Sequence, residues 1–470
     1  MSKKKLSRRD FLRLGGLAVG STVVGATLGG CAKPKEVEQE AAPATKETEK
    51  ETIPEAKPVD IRLTAWGDVT DKEVYDSIVA DFAEVSPNIN VTVEQYPGGY
   101  YEKIQANFAA GSSADVIYFQ GWSWQPFADN DVLKPLDEFV EADNAQAMWP
   151  DIENYTINTV RGGKKYMSVA DTGSCVMFYV KDVFDEVGIP YPTDDWTYED
   201  FKGMVENLAH EKDGTKYYGY AQAHGWNGTY LRSIHWMRMN GVLEWDQVNE
   251  PTTSKWLQDE IVDALQFTVV DTIANGWCPS PDVIEGGGVS TSTGRVAMNV
   301  EGSWTLGHFY GPNAAVEGGT AFDVVSMPKG STGKDHTIAE VHGHVMAKSS
   351  KAPEAAWEMM KFIMSEPGQR RIAAGGRMCG TPDDIEKLWV PIAQENYHFE
   401  NGKAFAGAMR TGGTPVIAGA GANYDALAGS GAPLAVAWDA MVFGTSAEEA
   451  LTEANPGLQK ILDDYWAKKG

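Results

Sequence analysis

The apolar positions at the start of the folded region alternate. Ile61, Leu63 and Ala65 lead into Trp66, and this period of two predicts a strand. Val74, Tyr75, Ile78, Val79 and Phe82 then recur at three- and four-residue steps, the stripe of an amphipathic helix. Ile89, Val91 and Val93 alternate again. The run DVIYF at 115–119 is short and unbroken, as in a strand covered on both faces. Strand–helix alternation of this kind predicts α/β layers on mostly parallel sheets. Three helix starts carry capping-box spacing: Thr197 with Asp200, Thr381 with Asp384 behind Pro382, and Ser446 with Glu449.

The pattern differs at the N-terminus. Lys3, Lys4 and Lys5 precede SRRDFLR at 7–13, and a soft apolar run follows over 14–30. A positive flank, a short apolar stretch and small residues before a break make a secretory signal. The paired arginines followed by Phe-Leu are similar to a twin-arginine export signal. LGGC at 28–31 is similar to a bacterial lipobox, in which Cys31 takes the lipid and becomes the new N-terminus. Segment 32–58 holds seven Glu, five Lys and four Pro with almost nothing apolar. Such a segment cannot bury enough surface to offset its ordering entropy and reads as a disordered tether. The stretch 411–438 is apolar and rich in glycine. Pro415, Asn423, Asp425 and Pro433 interrupt it, which predicts a loop lining a cleft rather than a membrane span.

Composition narrows the options. With 470 residues, 43% of them hydrophobic, the chain holds more core than one ordinary domain uses, so two domains are expected. The formal net charge is −26, from 66 Asp+Glu against 40 Lys+Arg, and no basic stripe interrupts it. A surface that acidic repels phosphate backbones, so nucleic acid is not an expected partner. If processing consumes Cys31, then Cys175, Cys278 and Cys379 remain, an odd number compatible with one bridge at most.

Several segments, in order over nearly all of 59–470, resemble the large extracellular solute-binding proteins of ABC importers, the class that includes maltose-binding protein. These are the opening strand IRLTAWG (61–67) and AAGSSADVI (109–117), with Ala114 where proline is usual. DVLKPL (131–136), YVKDVF (179–184), with Val180 for the usual Asn, and DWTYEDF (195–201) follow. GRVAMNVEGSW (294–304) is the nearest to the family pattern, and KAPEAAW (351–357) and GTSAEEAL (444–451) complete the series. The resemblance implies a two-lobed, periplasmic-binding-protein type II-like α/β fold with a hinge and an interlobe cleft. One lobe is expected from 59–170 and 341–385, the other from 171–340 and 386–470. The chain is expected to cross near 168–173, 338–345 and 380–390. The resemblance also implies a monomer that binds a carbohydrate, without cofactor or catalysis, and delivers it to an importer.

A sugar offers apolar C–H faces and a rim of hydroxyls, so recognition needs flat aromatic platforms beside bidentate polar groups. Most of the fifteen tryptophans of a chain this size are packing residues. The informative ones follow strands, where α/β folds open their clefts. Trp304 comes first, because the family motif carries a stacking tryptophan there. Trp66 and Asp68 sit at the carboxyl end of the first strand. Gln120, Trp122 and Trp124 follow the DVIYF strand, and if the chain stays extended the two tryptophans share a face. His224, Trp226 and Asn227 lie among glycines in a binding-loop pattern. Asp171 and Tyr424 fall where the resemblance places an acidic hydroxyl acceptor and another aromatic. Arg377 follows two glycines and reads as a cleft residue or a surface one. His342 and His344 share a strand face. Without a third ligand, they fit a hinge-side hydrogen-bonding role better than a metal site. Two rival readings stay open: an exported carbohydrate hydrolase using two carboxylates, and capture of a cationic ligand or metal chelate. GxSxG, HExxH and P-loop motifs are absent.

Overall fold

A computed structural model describes residues 57–67, 69–96, 98–222, 230–413, 427 and 429–469. Nine strands build its main sheet: β1 (Val59–Trp66), β2 (Ile89–Tyr96), β3 (Val116–Gln120), β4 (Leu133–Lys134), β5 (Met167–Val180), β6 (Met298–Gly302), β7 (Phe322–Val325), β8 (Ala339–Ala347) and β9 (Met378–Cys379). Their order is β6-β5-β8-β3-β1-β2, with β7 and β9 also pairing β5 and β4 pairing β8.

The opening unit follows its sequence pattern. Strand β1 pairs in parallel with β2 from Val59↔Ile89 to Trp66↔Tyr96, and with β3 on its other side. Helix Val69–Val85 connects β1 to β2 and buries Val74, Tyr75, Ile78 and Phe82, the stripe that its spacing predicts. Beyond this unit the sheet departs from expectation. Every pairing made by β5 and β8 is antiparallel. Parallel pairing needs a crossover on the same side for each added strand. Here the chain instead returns through the sheet on β5 and again on β8, each running against its neighbours.

Strand β5 joins two cores, and all of its 14 residues are buried. Its first half pairs β8, from Val345↔Met167 to Ala339↔Ser174; its second half pairs β6 and β7. Side chains alternate across a strand. Cys175, Met177 and Tyr179 enter a core with Phe201, Trp236 and Trp256. Val176 and Phe178 enter another with Phe309, Phe322 and Phe405. The β5–β8 register slips between His342 and Gly343, skipping Ala170. A bulge of this kind bends and twists the strand locally.

All three predicted caps form. Thr197 accepts from the Asp200 backbone N–H at 3.2 Å, while Asp200 accepts from the Thr197 N–H at 2.8 Å, a complete box. Thr381 and Ser446 accept from the backbone N–H groups of Asp384 and Glu449. Helix Pro433–Val442 takes up the last six residues of 411–438, where the sequence predicts a loop, while 414–426 and 428 lie outside the described residues. Cys175, Cys278 and Cys379 are buried free thiols, and no bridge joins them. Burial pushes the Cys278 thiol up to about 12, so it stays protonated at neutral pH.

Candidate functional site

The carboxyl ends of β1 and β3 form one edge of the site. Trp66 ends β1 and is 38% exposed, a large share for an indole. Gly67 follows with φ +116°, and a Cβ there would lie 1.7 Å from the Asp71 carboxylate. Only glycine lets that carboxylate fold over the strand end. Gln120 ends β3, and its Oε1 accepts from the Tyr101 hydroxyl at 3.0 Å; Ser123 in turn donates to Tyr101 at 3.0 Å. Trp122 sits in the following turn, its ring edge-on to His342 with centroids 5.5 Å apart.

Strand β8 carries the row onward. Glu340 and His342 are two residues apart and so share a face. His342 Nε2 lies 3.2 Å from Glu340 Oε2. Glu340 pairs across the ladder with Gly173 of β5. A Cβ on Gly173 would lie 3.0 Å from the Trp304 ring and 3.4 Å from Glu340 Oε2. A Cβ on Gly302 would lie 2.3 Å from the same ring. The two glycines therefore form a recess that receives the indole, and Trp304 remains 49% exposed. Arg232 sits 6.0 Å from the Trp304 ring centroid and bonds Glu301 Oε2 at 2.7 Å. The result is a continuous row from Trp122 through His342, Glu340 and Trp304 to Arg232 and Glu301. It spans the place where β5 passes from one core to the other.

Beside this row lies an ionic cluster in which Asp171 is buried and Arg377 and Asp71 are partly so. Arg377 Nε donates to Asp71 Oδ1 at 2.7 Å, and Nη1 lies 3.3 Å from Asp171 Oδ1 and from the Tyr118 hydroxyl. Tyr118 donates to the same Asp171 oxygen at 3.2 Å. Burial and the Asp171 charge hold the Tyr118 and Tyr75 phenols well above their ordinary range. Next to them His344 is fully buried between the edges of Tyr75 and Tyr118. Desolvation, with Arg377 nearby, pushes its imidazole down to about 3, so it is neutral in the folded state.

These positions correct several expectations. Trp124 is 0% exposed, its indole N–H donating to the Asn158 carbonyl at 2.7 Å, so it packs the core and offers no platform. The alternation that paired it with Trp122 fails because the chain turns after Gln120 instead of staying extended. Asp171 and Arg377 bond each other and Tyr118, and Asp171 stands opposite His342 in the β5–β8 ladder. His344 has no hydrogen-bond partner on either ring nitrogen and is a core residue, whereas His342 Nε2 lies 3.2 Å from Glu340 within the row. Among the described residues no cluster of His, Cys, Asp and Glu could hold a metal ion. Cys31, Asp68, His224, Trp226, Asn227 and Tyr424 lie outside the described residues. The sequence reading missed Glu340, Arg232, Glu301 and Tyr101. Glu340 had one available signal, its two-residue spacing from His342. A separate hollow of about 220 Å³ is bounded by Trp149, Tyr155 and Lys165. Both of its rings are buried, so it presents no aromatic face.

Two α/β cores sharing crossing strands, with exposed indoles and largely buried carboxylates along the seam, define a two-lobed ligand-binding fold with an interlobe cleft. Solved structures share this fold. The sugar-binding protein MalE of Xanthomonas citri superposes with a TM-score of 0.70 at 20% identity, covering 87% of this chain and 99% of that one. An ABC substrate-binding protein of Listeria monocytogenes in complex with cycloalternan gives 0.68 at 19%, covering 87% and 100%. The cyclic α-maltosyl-1,6-maltose binding protein of Arthrobacter globiformis gives 0.69 at 16%, covering 87% and 100%. A binding protein of Brucella abortus is 22% identical over 308 residues, 62% of this chain and 68% of its own length. The pattern of the bacterial extracellular solute-binding protein family matches residues 66–370, well over half of the chain, and the chain belongs to that family. Among the described residues no helix is long and apolar enough to cross a membrane.

Proposed function

We propose that the protein captures a saccharide in its cleft and presents it to an ABC importer, performing no chemistry on it. The observation that carries this reading is the half-exposed Trp304 ring, seated on Gly173 and Gly302 with Glu340 at its edge. A sugar's C–H face stacks on such a ring while its hydroxyls meet the carboxylate. Trp122 and Trp66 would extend the platform along the cleft. Micromolar affinity needs about −8 kcal/mol net, a value that two or three stacked rings and charge-assisted hydrogen bonds can supply after the cost of closure. The named ligands of the similar structures, cycloalternan and cyclic α-maltosyl-1,6-maltose, are carbohydrates, which favours this ligand class.

The same reading assigns 59–170 and 341–385 to one lobe and 171–340 and 386–470 to the other. The basic flank, the apolar run and LGGC at 28–31 support export and lipid anchoring at Cys31, with 32–58 as the tether. A thermal-shift screen against neutral and charged saccharides, with each mixture then chromatographed, tests the function. Saturable stabilisation with the sugar recovered intact is expected. Cleavage of any sugar would make the protein a hydrolase, and no stabilisation by any saccharide would remove the ligand class.

A further inference from the structure

We propose that the sugar unit seated on Trp304 carries an amino group, and that Glu340 holds its ammonium. The proposal rests on the saccharide reading above and specifies its ligand. Two carboxylates flank the exposed Trp304 ring, and their surroundings differ. Glu301 is matched by Arg232 at 2.7 Å. Glu340 is only 6% exposed, and its ladder partner Gly173 offers no side chain. The one side-chain nitrogen within ion-pair distance of it among the described residues is His342 Nε2 at 3.2 Å, on an imidazole that supplies a counter-charge only when protonated. The row thus contains two carboxylates and one guanidinium; Arg232 bonds Glu301 and acts on Glu340 only at longer range, so one negative charge is left over.

A carboxylate taken out of water without a matched cation is costly, and the cost is recovered when a cation arrives. The place open to that cation is aromatic. The point that a Gly173 Cβ would occupy lies 3.0 Å from the Trp304 ring and 3.4 Å from Glu340 Oε2, so the carboxylate is a neighbour of the exposed ring on which the sugar would lie. The His342 ring beside Glu340 packs on Trp122. Aromatic faces attract cations, and a hydrogen bond with both partners charged is roughly twice as strong as a neutral one. A hydroxyl would satisfy the geometry of Glu340 but not its charge; a sugar acid would be repelled. A bare metal ion lacks ligands here, since no suitable cluster exists among the described residues. The net charge of −26 draws cations toward the whole surface.

Calorimetric titration of the full chain with matched pairs tests this directly: glucosamine against glucose, galactosamine against galactose, and the β-1,4 glucosamine disaccharide against cellobiose. In the pair that fits the cleft, the amino sugar should bind about tenfold or more tightly. The gap should narrow with added salt and vanish in Glu340→Gln, where the amino sugar should lose more affinity than its neutral partner does. Equal or tighter binding of the neutral sugar, or a gap that survives Glu340→Gln, overturns the proposal while leaving saccharide capture standing. If Glu340→Gln fails to fold, the wild-type ratio and its salt dependence decide. If no saccharide of either charge binds, the underlying reading falls as well.

Discussion

At the scale of single residues, two kinds of burial serve the cleft differently. Gly173 and Gly302 give up side chains so that one indole can lie flat, which makes Trp304 a pre-positioned platform. Pre-positioning matters because every side chain ordered on binding subtracts from affinity. His344 is instead wholly enclosed, and its neutral form is the one that fits. Its imidazole sits near 3 in the folded chain, against about 6.5 when unfolded. Burial also pushes His336 down, to about 4. Between these values and 6.5 the unfolded chain binds protons that the folded one does not. The contribution of these two groups to stability is therefore complete above about pH 6.5 and falls on acidification, by up to about 1.4 kcal/mol per pH unit for His344. Melting curves from pH 7 to 4 should show this decline, and His344→Phe, which keeps a ring between Tyr75 and Tyr118, should flatten it. An unchanged slope in the variant would contradict this account of His344.

At the scale of elements, local signals were legible and convergent ones were not. The β1 alternation, the helix stripe through Val74 and Phe82, and the three caps each depend on residues a few positions apart, and the structure has all of them. Thr197→Ala removes a complete capping box on an exposed helix start and should cost about 1 kcal/mol in urea denaturation; a change below a few tenths would show the box to be incidental. Trp304 was legible because its motif is contiguous. Glu340 was not, because its role depends on pairing with Gly173, far away in the chain, and on the ring that Gly173 admits. Arg232 and Glu301 are likewise brought to one ring from separate elements. Trp124 misled for the opposite reason: alternation is a rule for extended chain, and the chain turns after Gln120. The expectation of mostly parallel strands failed on β5 and β8, since their direction follows from where the chain returns, which no local period records.

At the scale of the whole molecule, β5 is the strand on which both cores depend. Its first half is ordered by β8 and its second by β6 and β7, with the skipped Ala170 beside the ionic cluster of Asp171, Arg377 and Asp71. That cluster ties β5 to the helix Val69–Val85 and to the residue before β9, next to the crossing. A second tie runs elsewhere: Arg161, just before β5, bonds Asp129 at 2.7 Å and Glu250 at 2.9 Å. Relative movement of two lobes about such crossings is how clefts of this architecture open and close on a ligand. The net charge of −26 attracts cations without choosing among them. Whether the cleft is a clamp built on Trp304 is most directly tested by calorimetric titration of the wild type and Trp304→Ala with the saccharide that stabilises the wild type best. One-site binding that weakens at least about a hundredfold in the variant, with no product formed, is the predicted result. Equal affinity in the two proteins, at equal stability, would contradict it.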